Sequence, residues 1–258
     1  MDFLTRYNIA INPTGLAGAA AAAYTHKVNE HPTWIYRTTS GQILLAAIKF
    51  HGRPVVIQPY TAGDCNATGG WQMVGGGRQG IVRYSPTTFS LHGACSATKS
   101  VNNRGLYWDE ILFHELVHVF RGVSGKFSQQ PVFGGLNKYT DTEEFYAVLL
   151  TNIYISDRTN KIKSGLRRDH KGFHALEPKL AEPWGFFTSG TQTFGLIRTF
   201  VTDNPGISVR LANDVATAPF NPIADYYADR DRAEKLSRAA VPRDMKAIMS
   251  SMASALGF

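Results

Sequence analysis

Between residues 106 and 120 the chain is strongly apolar and free of Gly and Pro, and Gly122 and Gly125 follow as stop signals. That pattern predicts a helix. Its neighbours Ile111, Leu112, Phe113, Leu116, Val117, Val119 and Phe120 lie nearly all round the axis, so the helix is expected to be buried. Residues 142–154 predict a second helix, with Thr140, Asp141 or Thr142 available as its cap. Upstream, the Ala-rich run 17–23 reads as a closely packed opening helix. Residues 42–50 are short and apolar and read as a strand, His51-Gly52 as a turn, and 54–58 as the returning strand. The glycine-dense stretch 69–80 predicts a long loop or wide hairpin, and 81–90 another strand. Downstream, 191–202 predicts a helix stopped by Asn204-Pro205, and 243–256 a last one. With strands first, helices after, and neither repeat nor linker, the pattern predicts a single α+β domain over residues 1–258.

Chemistry concentrates in the first buried helix, at His114-Glu115-Leu116-Val117-His118. Helical positions four apart share a face, so His114 and His118 can present two imidazoles to one metal ion. Glu115, one step round, can reach a water on that metal. This is the H-E-x-x-H arrangement of two ligands and a general base. Chance produces it in about one shuffled chain of this composition in a hundred. The plainer reading, hydrogen-bonded polar residues in a core, must carry the cost of burying three such groups in an apolar helix. A divalent cation, here Zn2+, satisfies them directly.

A catalytic zinc site takes three protein ligands and leaves a position for water. The metzincin layout requires Gly and His three and six residues after the second His; Arg121 and Ser124 stand there, so it fails. The inverted H-x-x-E-H order is absent. A downstream Glu on a second helix fits, because Glu143-Glu144 opens the predicted helix after residues 122–135, far enough on for the chain to reverse and return. Adjacent helical residues point about 100° apart, so only one of the two can face the metal. Ala147, the small residue that lets two helices approach, lies three after Glu144 and four after Glu143, and spacing alone leaves both open. Two histidines and a carboxylate can also hold iron, but a Glu between the histidines points to hydrolysis.

HELVH followed by EEFYAVLLTNIY resembles the gluzincins, zinc peptidases with two His and one Glu as ligands. It is similar to bacterial effector metallopeptidases: the NleD-like peptidases delivered by type III secretion, and the metallopeptidase domain at the end of some type VI VgrG spike proteins. The resemblance covers about residues 106–156. The tracts 168–174 and 220–226 have the same flavour without a firm alignment. The resemblance implies a zincin-like fold and endopeptidase cleavage of a protein in a target cell, with a secretion apparatus or chaperone as a further partner. Glu followed by two residues and a small one is a gluzincin pattern, and Glu144-Phe-Tyr-Ala147 matches it, which selects Glu144 as third ligand. Other members with paired glutamates use the first. Gluzincins also place a Tyr, His or Arg donor beyond the ligands; His170, His174, Tyr226 and Tyr227 are the candidates. The alternative is a catalytically silent binding or toxin module of the same fold. The intact His, Glu and His argue against it, and substitution of Glu115 separates the two.

The remaining features change this picture little. The chain has 258 residues, 43% apolar and 18% charged, ordinary for a folded protein. Its net charge of +7 is scattered, with no basic stripe interleaved with aromatics, which argues against a nucleic-acid-binding protein. The densest basic group, Arg158, Lys161, Lys163, Arg167, Arg168 and Lys171, reads first as a solvated helix end and loop, and second as a docking surface for an acidic partner. No stretch approaches the length of a membrane span, and the first residues do not form a secretory leader. The expected location is therefore outside the producing cell by a route without a cleaved signal, or else the cytoplasm. Cys65 and Cys95 are too far apart in sequence for a C-x-x-C zinc site, and their pairing is left open. Glu110 reads as a first-turn charge, and more weakly as a carboxylate that orients His114 one turn on. Asn152 reads equally as a surface residue or as a hydrogen-bond partner of the β-region or of the site.

Overall fold

The computed structural model describes residues 4–61, 66–89, 107–133, 136, 138–158, 165–170, 172 and 174–240. It is a mixed α+β fold. A short strand, β1 (Ile9–Ile11), precedes two helices, α1 (Gly18–Tyr36) and α2 (Thr39–Phe50). Strands β2 (Val55–Gln58), β3 (Thr68–Val74) and β4 (Gly77–Arg83) complete a sheet of order β1-β2-β4-β3. β1, β2 and β4 run parallel, and β3 pairs antiparallel with β4 at the edge. The rest is helical: α3 (Trp108–Ser124), α4 (Thr142–Asp157), α5 (Pro178–Ala181), α6 (Thr193–Asp203), α7 (Pro205–Asp214), α8 (Pro222–Ala228) and α9 (Arg230–Ala239). One connected cluster of buried apolar side chains runs from Leu4 to Ala233. Among the described residues no helix is long and apolar enough to cross a membrane.

Residues 42–50 are helix, not the strand their apolar run suggests. Thr38 caps α2 by accepting a hydrogen bond from the Gly41 N–H at 3.0 Å. Leu, Ala and Lys favour helix, and Ile43, Leu44, Leu45 and Ile48 then form one buried face. A short apolar run does not distinguish the two by periodicity alone. The four strands of the sheet nevertheless all precede α3, as the order of strands first and helices after predicts. The glycine-dense stretch is a hairpin, and a tight one. Val74 pairs with Gly77 across Gly75 and Gly76, whose φ values of 55° and 79° require glycine. The strand expected over 81–90 ends at Arg83, and Pro86 lies in the turn beyond it.

The sheet meets the buried helix through β3. A Cβ on Gly69 would lie 2.2 Å from the Glu115 carbonyl oxygen, and one on Gly122 would lie 2.4 Å from the Trp71 ring. Glycine at 69 lets strand backbone meet helix backbone, and glycine at 122 makes room on the helix for the Trp71 ring. The predicted helices at 106–120, 142–154 and 191–202 correspond to α3, α4 and α6. The helix expected at 243–256 lies outside the described residues, as do Cys65 and Cys95.

α1, the end of β4 and the start of α3 are joined by a buried aromatic cluster. His31 stacks on Trp108 at a centroid distance of 4.1 Å, and its Nδ1 lies 3.1 Å from the Tyr84 hydroxyl. That hydroxyl donates to the Trp108 carbonyl at 2.9 Å, so the His31 Nδ1–H is the donor to Tyr84. Burial, with a smaller push from Lys27, lowers the His31 pKa to about 3. In the unfolded chain His31 takes its proton near 6.5, so stability is full above that pH and is lost as pH falls toward about 3, by at most about 1.4 kcal/mol per pH unit. His31→Phe keeps the stacked ring and removes the titration. The stability gap between wild type and this variant, from urea unfolding at several pH values, should move in the variant's favour between pH 6.5 and 4. A gap independent of pH over that range would exclude a buried neutral His31.

Candidate metal centre

α3 and α4 pack antiparallel, and each is anchored at its ends. At the start of α3, Glu110 accepts a hydrogen bond from the Tyr107 N–H at 3.3 Å. Asp109 and Glu110 both pair with Arg158 at the end of α4, and Tyr154 donates to Asp109 at 2.6 Å. Glu110 therefore serves the helix end and Arg158 and does not orient His114. Arg158 and Arg167, read as solvated, are instead largely buried and paired. At the start of α4, Asp141 accepts from the Glu144 N–H at 3.0 Å, which fixes the first turn and points Glu143 and Glu144 toward α3. The turn's free N–H groups favour the two carboxylates.

Three donor atoms converge there. His114 Nε2 lies 3.2 Å from His118 Nε2 and 3.2 Å from Glu144 Oε2, and His118 Nε2 lies 3.6 Å from the same oxygen. Bonds of about 2.0–2.1 Å place neighbouring ligands of a tetrahedral ion about 3.3–3.4 Å apart. The triangle thus has the spacing of one face of a zinc tetrahedron, and His114, His118 and Glu144 form a group that could hold a metal ion. Electrostatics point the same way. Burial pushes His114 down to about 3. Burial opposes a charge on His118 too, but Glu143 and Glu144 outweigh it and carry that ring up to about 10. Burial disfavours the Glu144 carboxylate as well, yet the two histidines hold it well below the usual carboxylate range. A positive charge at this place is favoured by the carboxylates, and a divalent cation would supply it.

Glu143 has a different place. Arg121, itself only 1% exposed, donates its Nε–H to both Glu143 oxygens at 2.8 Å. The Ser128 N–H reaches Glu143 at 3.2 Å, and Glu143 Oε1 stands 3.7 Å from His118 Nδ1. Glu143 is therefore behind His118, on the side away from Glu144. Arg121 was visible in the sequence only as the residue that breaks the metzincin layout. Its signal, a lone charge three positions after a candidate ligand in an apolar helix, was available.

Glu115 is buried on the next face of α3, and desolvation raises its pKa to about 7 despite a hydrogen bond from the Gly69 backbone. Of the four donor candidates, only His170 reaches the centre. Its Nε2 is 3.3 Å from Glu144 Oε2, its ring is parallel to His114, and its Nδ1 is 3.4 Å from the Thr140 hydroxyl. The segment that carries it is pinned to α4, because Asn152 exchanges two hydrogen bonds with the Arg167 backbone at 2.8 and 3.0 Å. The buried Arg167 guanidinium then donates to the carbonyls of Asp169 and His170. Asn152 is thus neither on the surface nor in direct contact with the centre. His174 faces solvent beside Asp169, at 2.8 Å, and Tyr226 packs against Phe194. Among the described residues neither Tyr226 nor Tyr227 makes a hydrogen bond or ring contact with the centre.

Comparison with family models, with curated proteins and with solved structures gives no match, so the meaning of the site rests on its own geometry.

Proposed function

We propose that the chain is a zinc-dependent hydrolase of peptide bonds. The observation that carries this reading is the triangle of His114, His118 and Glu144 donors at 3.2, 3.2 and 3.6 Å, with the buried Glu115 carboxyl one residue round the same helix. When bound, zinc supplies Lewis acidity, which brings the ionisation of water near neutral pH and draws charge from the attacked carbonyl. His114 and His118 bind through Nε2 as neutral imidazoles, and Glu144 adds the negative charge that suits a dication. Glu143, held by Arg121, stands 3.7 Å from Nδ1 of His118, and its charge favours the ring orientation that turns Nε2 to the other donors. Glu115, with a pKa about 7, is suited to take a proton from the attacking water and return it to the leaving amine. His170 stands beside the ligands with Nε2 toward them, placed to donate to the negative oxygen that develops during attack.

Purified protein is expected to carry about one zinc ion per chain, as the one three-donor group among the described residues predicts. Chelation should abolish hydrolysis of a mixed peptide substrate, and zinc should restore it. Elemental analysis that finds no transition metal, with no uptake on titration, would remove the proposal.

A further inference from the structure

A second concavity lies against the same segment that carries His170. It is a cavity of about 360 Å3 between the stretch before α4, the 165–177 region, α5 and the 3-10 turn at Gly185–Thr188. Leu176, Leu180 and Phe186 give it an apolar floor, and Lys138, Arg168 and Lys179 stand around it with one acid, Glu177. The charges do not balance. Glu177 is shared between Lys179 at 3.3 Å and Arg168 at 3.8 Å, two loose, solvent-screened ion pairs. Arg168 Nε is a buried N–H with no hydrogen-bond partner, and the nearest carboxylate oxygen, on Asp169, is 3.9 Å away. A buried donor left unmade costs free energy unless an acceptor arrives.

Position ties this cavity to the centre. Arg168 is two residues from His170, so their Cα atoms lie within about 7 Å. The Lys138 carbonyl accepts the His170 N–H at 3.4 Å, and Lys138 also lines the cavity. In the hydrolase reading, side chains that flank the scissile bond extend from the donor triangle toward neighbouring segments, and the segment that carries His170 also carries Arg168.

We infer that the cavity is a specificity subsite for an acidic side chain of the substrate, the carboxylate taken by Arg168 and Lys138 and the methylenes laid on Leu176 and Phe186. The inference deepens the hydrolase proposal and rests on it. A guanidinium with its Nε free suits a carboxylate, and the apolar floor favours Glu and Asp over an inorganic anion.

The test is the cleavage profile of a random peptide mixture exposed to zinc-loaded protein, read by sequencing the products. Enrichment of Asp or Glu at one position near the cut is expected. In Lys138→Gln/Arg168→Gln, kcat/KM for a peptide with Glu at that position should fall about tenfold, while the same peptide with Gln should be cut as before. Lys138→Glu should shift the preference toward Lys and Arg. A profile without acidic enrichment, or one unchanged in the double variant, overturns the subsite. If wild type cuts no peptide, the hydrolase proposal fails, and a separate measurement still decides the cavity. Nuclear magnetic resonance titration with N-acetylglutamate amide should move signals of Leu176 and Phe186 in wild type and not in the double variant, and N-acetylglutamine amide should move neither. Absence of that difference overturns the subsite as well.

Discussion

Glu115→Gln should leave the metal bound and lower turnover by about 100-fold to 10,000-fold, the range in which a positioned general base contributes. Glutamine has the same size and can still accept the Gly69 N–H through its amide oxygen, so the contact between β3 and α3 survives. Glu115 is not among the three converging donors, and its loss removes no ligand. What disappears is a basic group with a pKa about 7. Metal content and kcat measured on one preparation give the answer. Turnover near the wild-type rate with metal retained would assign the proton transfer elsewhere. Loss of metal along with turnover would make Glu115 a structural part of the centre. A wild-type protein that holds zinc but cuts nothing, like the variant, would favour a binding module with the same centre.

The grouping of His114 and His118 was legible in the sequence because it rests on local geometry. H-E-x-x-H puts two imidazoles on one helical face wherever the helix forms, and the apolar surroundings of 106–120 made helix α3 certain in kind. Its partner was legible too, since Asp141 caps a run of apolar residues that begins with two carboxylates. Whatever depended on contacts between distant segments was not. Nothing local tells that Gly69 and Gly122 are needed for β3 to lie against α3, or that Asn152 holds the backbone of Arg167 fifteen residues on. Arg158 and Arg167 were misread because charge in a polar stretch is usually solvated. Here Asp109 and Glu110 at the opposite end of α3 need Arg158, and the carbonyls of 169–170 need Arg167. The α2 error has the same root. An apolar run of nine residues serves either a strand or one helical face, and the cap at Thr38, outside the run, decides it.

Glu144 and Glu143 stand next to each other in sequence and should respond to substitution in opposite ways. Glu144 Oε2 completes the donor triangle, whereas Glu143 is turned to Arg121 and to the far nitrogen of His118. Glu144→Ala should therefore lower zinc affinity by more than about 100-fold, beyond what a residue behind a ligand usually contributes. Glu143→Gln, which keeps the size and loses the charge that orients His118, should lower it by about tenfold. Stability of the metal-free protein should rank the other way. Arg121 lies fully inside the protein, stacked on Tyr146 at 4.3 Å, and Glu143 is the acid it pairs with. Glu143→Ala leaves that guanidinium buried without a counter-ion, a loss of about 3–5 kcal/mol. Glu144 is partly exposed, and the cation it faces, the protonated His118 ring, can give up its proton whereas Arg121 cannot, so Glu144→Ala should cost the apo protein less. A zinc-competition titration and a denaturant melt of the apo protein, run on both positions, give a crossed pattern if the assignment holds. If Glu143→Gln loses more zinc affinity than Glu144→Ala, the third ligand is Glu143. If both alanine variants melt alike, the Arg121 pair does not hold the helix interface together.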